Sequence, residues 1–553
     1  MWLTMIKKKI LFCSEASWLN TGYSVYTKEV LSRLNQVDSI EVAELACYAD
    51  QNNPNIASTP WKIYPNKPLK SDPTFKSYSE NPAAQFGEQT FNRVLLDYQP
   101  DIVIDIRDWW MIEYQQRSPF RDFFHWAIMP TVDAEPQADQ WINTYASADA
   151  VFTYSEFGRD VLLKQCKNIN FVDMAPPSAS NAFTKLNKSQ ARDAMGVSDD
   201  VFIIGTVMRN QKRKLYPDLM ETFRRFLDKT QDPKFFLLCH TYYPDVGWEL
   251  PKYIIDNGLS NRVLMTYRCK NCKRISVDFF KDSIQMCSKC SKFANQLVGI
   301  NNPINEHELA LVYNLMDLYV QYANSEGFGM PQLEAAQCEV PVISTYYSAM
   351  QSIVDNIAAV GIKPLSYYTE CETGCKRAIP DNDEFLQVLL DMTSCKESLK
   401  EMGADICANT KKHYTWDKTA DVWLKHIESV EVKDKKQTWL SPLRTASPAA
   451  NIPDNINNIV DKVNFLFTSV LCKPEWIGSY FWKKVIKDCT FSYKCENLNK
   501  DFYFNESHKQ SQSGNVPFSI DDAYKELKFF RGQINEWEKA RYEKISSMRR
   551  GSQ

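Results

Sequence analysis

Short apolar runs alternate with segments of helical period over residues 9–427. Ile10-Leu11-Phe12-Cys13 reads as a buried strand, and Tyr23, Tyr26, Val30, Leu31 and Leu34 mark one face of the helix that follows. Asp101–Ile106 and Phe123–Met129 predict two more buried strands. A further one runs from Ala148 to Tyr154, with Ser155 as the cap of the next helix. A turn region at Ala175–Ser180 closes this block. The pattern then starts again with strands at Val201–Val207, Phe235–Cys239, Asp317–Gln321 and Val340–Ile343. Strands alternating with helices predict an α/β fold of two doubly wound domains, residues 1–185 and 186–430. Ligands of such sheets sit outside the carboxyl ends of the strands, so the loops after strands hold the candidate chemistry.

The richest of these loops is Ser325-Glu-Gly-Phe-Gly-Met-Pro-Gln-Leu-Glu334. Gly327 and Gly329 permit a tight turn and close backbone approach to a ligand. Pro331 suits the start of a helix, so a helix is predicted from about Met330, with Glu334 in its first turn. The free N–H groups of such a terminus bind anions, phosphate above all. A carboxylate beside them can accept hydrogen bonds from a ribose diol, which suits Glu334, while Glu326 can face a group being transferred. The residues alone equally allow Glu334 as a complement to the helix dipole and Glu326 as a solvated loop acid.

Ser-Glu-Gly-Phe-Gly-Met-Pro-x-x-Glu-Ala followed by a Pro-Val-Ile strand resembles the signature of the family 4 retaining glycosyltransferases. The resemblance implies a GT-B fold, two Rossmann-like domains facing a cleft, and a nucleotide-diphosphate sugar as donor. It implies transfer with retention at the anomeric carbon. By the same resemblance Glu334 holds the donor ribose, Glu326 contacts the sugar, and the backbone of Gly327, Phe328, Gly329 and Met330 takes the diphosphate. Arg209 and Lys214, in the loop after Val207, look like the family's cation pair on the donor phosphates, with Lys212 and Arg213 left to solvent. Gly22, in the first strand–helix loop, is expected to approach the donor or acceptor. The family's His-Asp pair is represented only by Val132-Asp133, so Asp133 is the candidate sugar contact and the histidine has no counterpart there. The turn at Ser178–Ser180 also departs from the family's glycine-containing turn.

Arg107-Asp108-Trp109-Trp110 follows the Asp101–Ile106 strand. Charged and aromatic residues there suit an acceptor-side platform for a sugar or base; packing of two tryptophans on the surface is the plainer reading.

Composition adds two constraints. The chain carries a formal net charge of −3 over 553 residues, so any polyanion site must be local. Of 16 cysteines, Cys269, Cys272, Cys287 and Cys290 form two Cys-x-x-Cys pairs around a fourteen-residue spacer, the spacing of a structural zinc ribbon over 266–293. Residues 262–292 hold eight Lys or Arg against two Asp, net +6. That basic knob is either a solvated staple or a set of phosphate contacts. The other cysteines are scattered, several in apolar runs, which points to a reducing, cytoplasmic setting rather than disulfides. No apolar run is long enough to span a membrane, and the start lacks the order of a secretory signal.

Residues 431–553 read as a Pro/Ser/Asn-rich linker and a mainly helical extension. The sequence thus predicts a glycosyltransferase with structural zinc and a nucleotide-sugar donor. A modified base in DNA is the candidate acceptor, with a glycan, protein or small molecule as alternative. The rival class is a non-catalytic nucleotide-sugar or nucleic-acid binding protein.

Overall fold

The computed structural model describes residues 7–118, 120–432 and Trp439. Strands β1 (Lys8–Glu15), β2 (Ile40–Asp50), β3 (Lys62–Lys67), β4 (Ile102–Asp105), β5 (His125–Ile128), β6 (Ala150–Thr153) and β7 (Phe171–Met174) form the first sheet. Its order is β3-β2-β1-β4-β5-β6-β7, with every pairing parallel. Along β1, Ile10 and Phe12 enter one apolar core and Leu11 and Cys13 another. Both faces of the sheet are therefore covered, which explains why β1 is a continuous apolar run rather than an alternating one.

The second sheet repeats the scheme with β8 (Phe202–Val207), β9 (Phe235–His240), β10 (Val263–Cys269), β11 (Ile275–Phe279), β12 (Gln285–Met286), β13 (Phe293–Leu297), β14 (Leu318–Gln321), β15 (Val342–Thr345) and β16 (Val360–Ile362). Its parallel part runs β10-β9-β8-β14-β15-β16. Strands β11, β12 and β13 extend the β10 edge with antiparallel pairings. The cysteine-rich insert is thus an outgrowth of one sheet strand. A hairpin of β17 (Pro364–Thr369) and β18 (Lys376–Pro380), which the sequence reading did not foresee, follows β16.

In both sheets the chain winds one way from a central strand, then crosses and winds the other way. The crossing points are β1/β4 and β8/β14, and crevices for ligands open at the carboxyl ends of those pairs. The two α/β domains facing a cleft are the GT-B arrangement expected above.

The helix Trp416–Ser429 returns from the second domain to the first. Trp423 Nε1 donates to Tyr26 Oη at 2.7 Å. Lys8 Nζ donates to the carbonyls of Ile427, Glu428 and Val430 at 2.7, 2.8 and 2.6 Å, capping that helix. A boundary at 430 assigns this helix to the second domain, whereas its packing ties it to the first. The helical extension expected over 431–553 lies outside the described residues apart from Glu431, Val432 and Trp439. Among the described residues no helix is long and apolar enough to cross a membrane.

Candidate active site

The loops after β8 and β14 meet at the second crossing point. The helix after β14 spans Met330–Gln337, and Gly329 before it sits at φ 106°, ψ 51°. That left-handed conformation is the one a glycine adopts freely, and it aims the chain from loop to helix. Glu326 is 5% exposed and Lys214 6%. Lys214 Nζ pairs with Glu326 Oε1, while Arg213 Nη2 lies 3.3 Å from Oε2. Gln321 Nε2 donates to Oε1 at 2.9 Å. Ser348 fixes the backbone: its Oγ accepts from Glu326 N at 2.9 Å and donates to Glu326 O at 3.1 Å. Burial pulls the Lys214 amine well below its ordinary range, with Arg213 pulling the same way. The Glu326 carboxylate in contact with it opposes that shift.

Glu334 lies in the second turn of its helix, not the first, and accepts a 2.6 Å bond from Tyr313 Oη. Burial pushes its carboxyl up to about 7. Phe328 is buried, its ring edge-on to Tyr414 at 5.7 Å.

The first domain closes over this loop. A Cβ placed on Gly327 would lie 2.2 Å from Thr131 Cγ2, so glycine alone permits the approach. Gly22 faces Met330 Sδ across the cleft. Asp133, the candidate sugar contact, lies with its Oδ2 3.4 Å from Ser325 Oγ, and it is not free. Arg377, from β18, donates to Asp133 Oδ2 at 2.8 Å, to Ser325 Oγ at 2.7 Å and to Glu370 Oε2 at 2.8 Å. The β17–β18 hairpin also reaches the first domain through Lys376 N, which donates to Glu135 O at 2.8 Å.

The acceptor-side candidates separate. Arg107 is a correction: it is 0% exposed and paired with Asp105, Nε to Oδ1 at 2.8 Å and Nη2 to Oδ2 at 2.5 Å. Its Nη1 is taken by Cys47 Sγ and Phe86 O, both at 3.1 Å. In an extended chain residues i and i+2 point the same way, so Asp105 draws Arg107 into the core. Trp109 stacks on Trp141, with ring centroids 5.6 Å apart. Asp108 does line the cleft: Tyr23 Oη donates to it at 3.2 Å and is also bonded to Thr131 Oγ1 at 2.8 Å. Burial, reinforced by Asp133, pushes its carboxyl up to about 6.

Arg209 is engaged by Asp245, Nε to Oδ2 at 2.9 Å and Nη2 to Oδ1 at 3.0 Å. The side chain that joins Lys214 is Arg213, expected in solvent but half-buried in the cleft. Burial lowers its pKa, while the nearby Asp133 and Asp108 of the first domain oppose that shift. Arg377 and Arg213 are the site residues that sequence reasoning missed. A cation at an inward position of a short strand, as in Lys376-Arg377-Ala378, was the available signal for the first.

The four insert cysteines converge. Their sulfurs all lie within 4.8 Å of one another, with Cys269–Cys290 at 3.7 Å and Cys272–Cys287 at 3.6 Å. A tetrahedral zinc with bonds of about 2.3 Å requires sulfurs about 3.8 Å apart. Each Cys-x-x-Cys turn closes identically: Lys273 N donates to Cys269 O and Ser291 N to Cys287 O, both at 2.9 Å. Lys273 and Ser291 have φ of 61° and 53°. The donor set and its spacing fit zinc, and four thiolates leave no open position for catalysis.

Residues 293–362 match the family model described as glycosyl transferases group 1. The curated relative alpha-monoglucosyldiacylglycerol synthase of Acholeplasma laidlawii is 22% identical over 180 residues, 32% of this chain and 36% of that protein. The chain thus spans about a third of that relative's length. Among solved structures, a sucrose-phosphate synthase from Thermosynechococcus elongatus aligns over 77% of this chain and 100% of its own, with TM-score 0.56 and 15% identity. Anabaena HepE, solved in complex with UDP and glucose, aligns over 76% and 100%, with TM-score 0.53 and 13% identity. These likenesses carry the GT-B fold.

Proposed function

We propose that this chain is a glycosyltransferase that moves a sugar from a nucleoside diphosphate sugar to an acceptor, with retention at the anomeric carbon. The observation that carries the reading is the Lys214–Glu326–Arg213 cluster at the β8/β14 crossing, facing Asp108 and Asp133 across the cleft. The family match covers the loop that presents Glu326, and HepE binds UDP on the same fold.

Lys214 and Arg213 neutralise the leaving diphosphate, and Arg209 joins them when it is released from Asp245. The backbone of Gly327–Met330 approaches the phosphates. Glu334 accepts the ribose hydroxyls once ionised, and Glu326 faces the transferred sugar. Asp133 and Gly22 border the sugar and the donor from the first domain. Asp108, the acceptor-side carboxylate of the cleft, takes the acceptor's hydroxyl. Catalysis here is positioning plus stabilisation of the charge that develops on the departing diphosphate.

Zinc on Cys269, Cys272, Cys287 and Cys290 is proposed as a structural staple of 266–293. The acceptor is proposed to be a hydroxylated base in DNA, on the strength of the +6 charge of residues 262–292. The cysteines among the described residues are all free thiols, many of them buried, which suits a reducing, cytoplasmic setting.

The test is turnover of a panel of nucleotide sugars, followed by NMR of the product's anomeric configuration. Transfer with the donor's configuration is expected. Binding without any turnover would instead make this a nucleotide-sugar binding protein, and transfer to glycans but not to hydroxylated DNA would overturn the acceptor assignment.

A further inference from the structure

The hairpin of β12 and β13 turns an apolar face to solvent. Met286 pairs with Phe293 across the two strands, so their side chains share a face, and Ile284 immediately precedes β12. These residues are 59%, 77% and 54% exposed. Cys287, next to Met286, is buried on the metal side of the knuckle, whereas Met286 and Phe293 are turned out. An exposed phenylalanine beside an exposed methionine, on a built and cross-linked knuckle, calls for an occupant.

The rim of the face is cationic. Lys292 adjoins Phe293, and the Lys270 amide donates to Ala294 O at 2.9 Å, which sets the first knuckle beside β13. Lys270, Lys273, Lys289 and Lys292 are exposed and carry no carboxylate partner among the described residues. Arg274 Nη1 donates to Ser288 Oγ at 2.9 Å, which braces one knuckle against the other. Protein interfaces are depleted in lysine, whereas phosphate chains require it, so the charge selects a polyanion. The aromatic tip selects a polyanion with flat, unpaired rings. A duplex hides those faces and a single strand presents them.

The position serves the cleft. Strand β10 runs parallel to β9, so Cys269 at its carboxyl end opens the ribbon on the cleft side of the sheet. Phe280 of the ribbon packs edge-on to Tyr243 at 6.1 Å, in the loop that holds Asp245, the partner of Arg209. The ribbon therefore touches the loop after β9, whose Asp245 holds Arg209.

We infer that the Met286–Phe293 face, with its lysine rim, docks single-stranded DNA and feeds it to the cleft. Bases stack on Phe293 and Met286 while Lys270, Lys273, Lys289 and Lys292 neutralise phosphates. This rests on the DNA-acceptor reading, because a base must leave the duplex stack to be reached in an enclosed site.

The experiment is fluorescence anisotropy of a labelled oligothymidylate with the full-length, zinc-loaded protein across a salt titration. Donor hydrolysis is measured on the same samples. Wild type is expected to bind the single strand more tightly than a matched duplex and to lose affinity steeply with salt. Phe293→Ala is expected to weaken binding about tenfold or more. Each of Lys270→Ala and Lys292→Ala is expected to flatten the salt slope by about 0.7. Donor hydrolysis stays at wild type in all three. Absence of binding at low salt overturns the inference. So does wild-type affinity in Phe293→Ala, equal competition by polyglutamate, or preference for duplex or RNA. Oligothymidylate binding without sugar turnover would keep this inference and sink the glycosyltransferase reading; turnover without binding would do the reverse.

Discussion

Each domain places a buried acid–cation pair at its crossing point, Asp105 and Arg107 at the end of β4 and Glu326 and Lys214 in the loops after β14 and β8, and the two pairs differ in what surrounds them. In the first domain Asp105 and Arg107 satisfy one another and nearly every remaining donor and acceptor is taken from within the same domain, by Gln115, Cys47 and Phe86. Both side chains are fully buried, so neither is open to a ligand. In the second domain Glu326 is reached by Lys214 from an adjacent loop and by Arg213 from the cleft wall, with Asp133 and Arg377 close by. Position in the topology nominates both places; only the second gathers charged side chains from both domains, Lys214 and Arg213 with Glu326 and Arg377 with Asp133.

Cutting both pairs has the largest expected effect. Arg107→Ala leaves a fully buried carboxylate without its partner and is expected to cost about 3–5 kcal/mol of stability, read by chemical denaturation. Glu326→Gln is expected to cost less, because the buried Lys214 amine can shed its proton, and to lose about 10²–10³ in turnover. If Arg107→Ala left stability intact while abolishing turnover, the first pair would belong to the site after all.

Removal of the metal is next in size. A chelator, or Cys287→Ser, is expected to release about one zinc per chain and to unfold the ribbon locally, seen as fast amide exchange over β11–β13 with β8, β14 and β15 still protected. Loss of protection throughout the second domain would make the ribbon part of its core.

Glu334 sharpens the comparison through pH. Its folded pKa is raised to about 7 from 4.5. The fold therefore favours the protonated carboxyl: this contribution to stability is complete below about 4.5 and is lost as pH rises through about 7. Ribose binding needs the opposite form, so the donor KM is expected to fall as pH climbs from about 6 to about 8. Glu334→Gln is expected to raise that KM and remove its pH dependence. A KM indifferent to pH in wild type would take Glu334 off the ribose.

The smallest effect belongs to the interdomain contact. Arg377→Gln loses the ion pairs to Asp133 and Glu370 and is expected to lower kcat severalfold with the donor KM little changed. Arg377→Lys is expected to restore part of it. An unchanged kcat would leave Arg377 as packing.

What was legible in the sequence follows from what periodicity encodes. The runs at β1, β4, β8 and β15 are apolar because both sheet faces are covered, and the start of the helix at Met330 was marked by Gly329 and Pro331. Which way a loop side chain turns is not periodic. Arg107 reads as a polar residue after a strand, yet Asp105 two positions earlier holds it in the core. Arg209 and Arg213 are separated only by their partners, Asp245 and Glu326, each remote in sequence. The β17–β18 hairpin was missed because its Leu365, Tyr367 and Tyr368 are largely exposed and show no clean alternation.

The proposed nucleotide-sugar site at the β8/β14 crossing rests on Glu326 and Lys214. Steady-state turnover of UDP-sugars and other nucleotide sugars, in wild type, Glu326→Gln and Lys214→Ala, tests it most directly. One donor is expected to turn over in wild type, with both variants folded and slowed by about 10²-fold or more. Turnover unchanged in both variants, or none with any donor in wild type, would contradict the account.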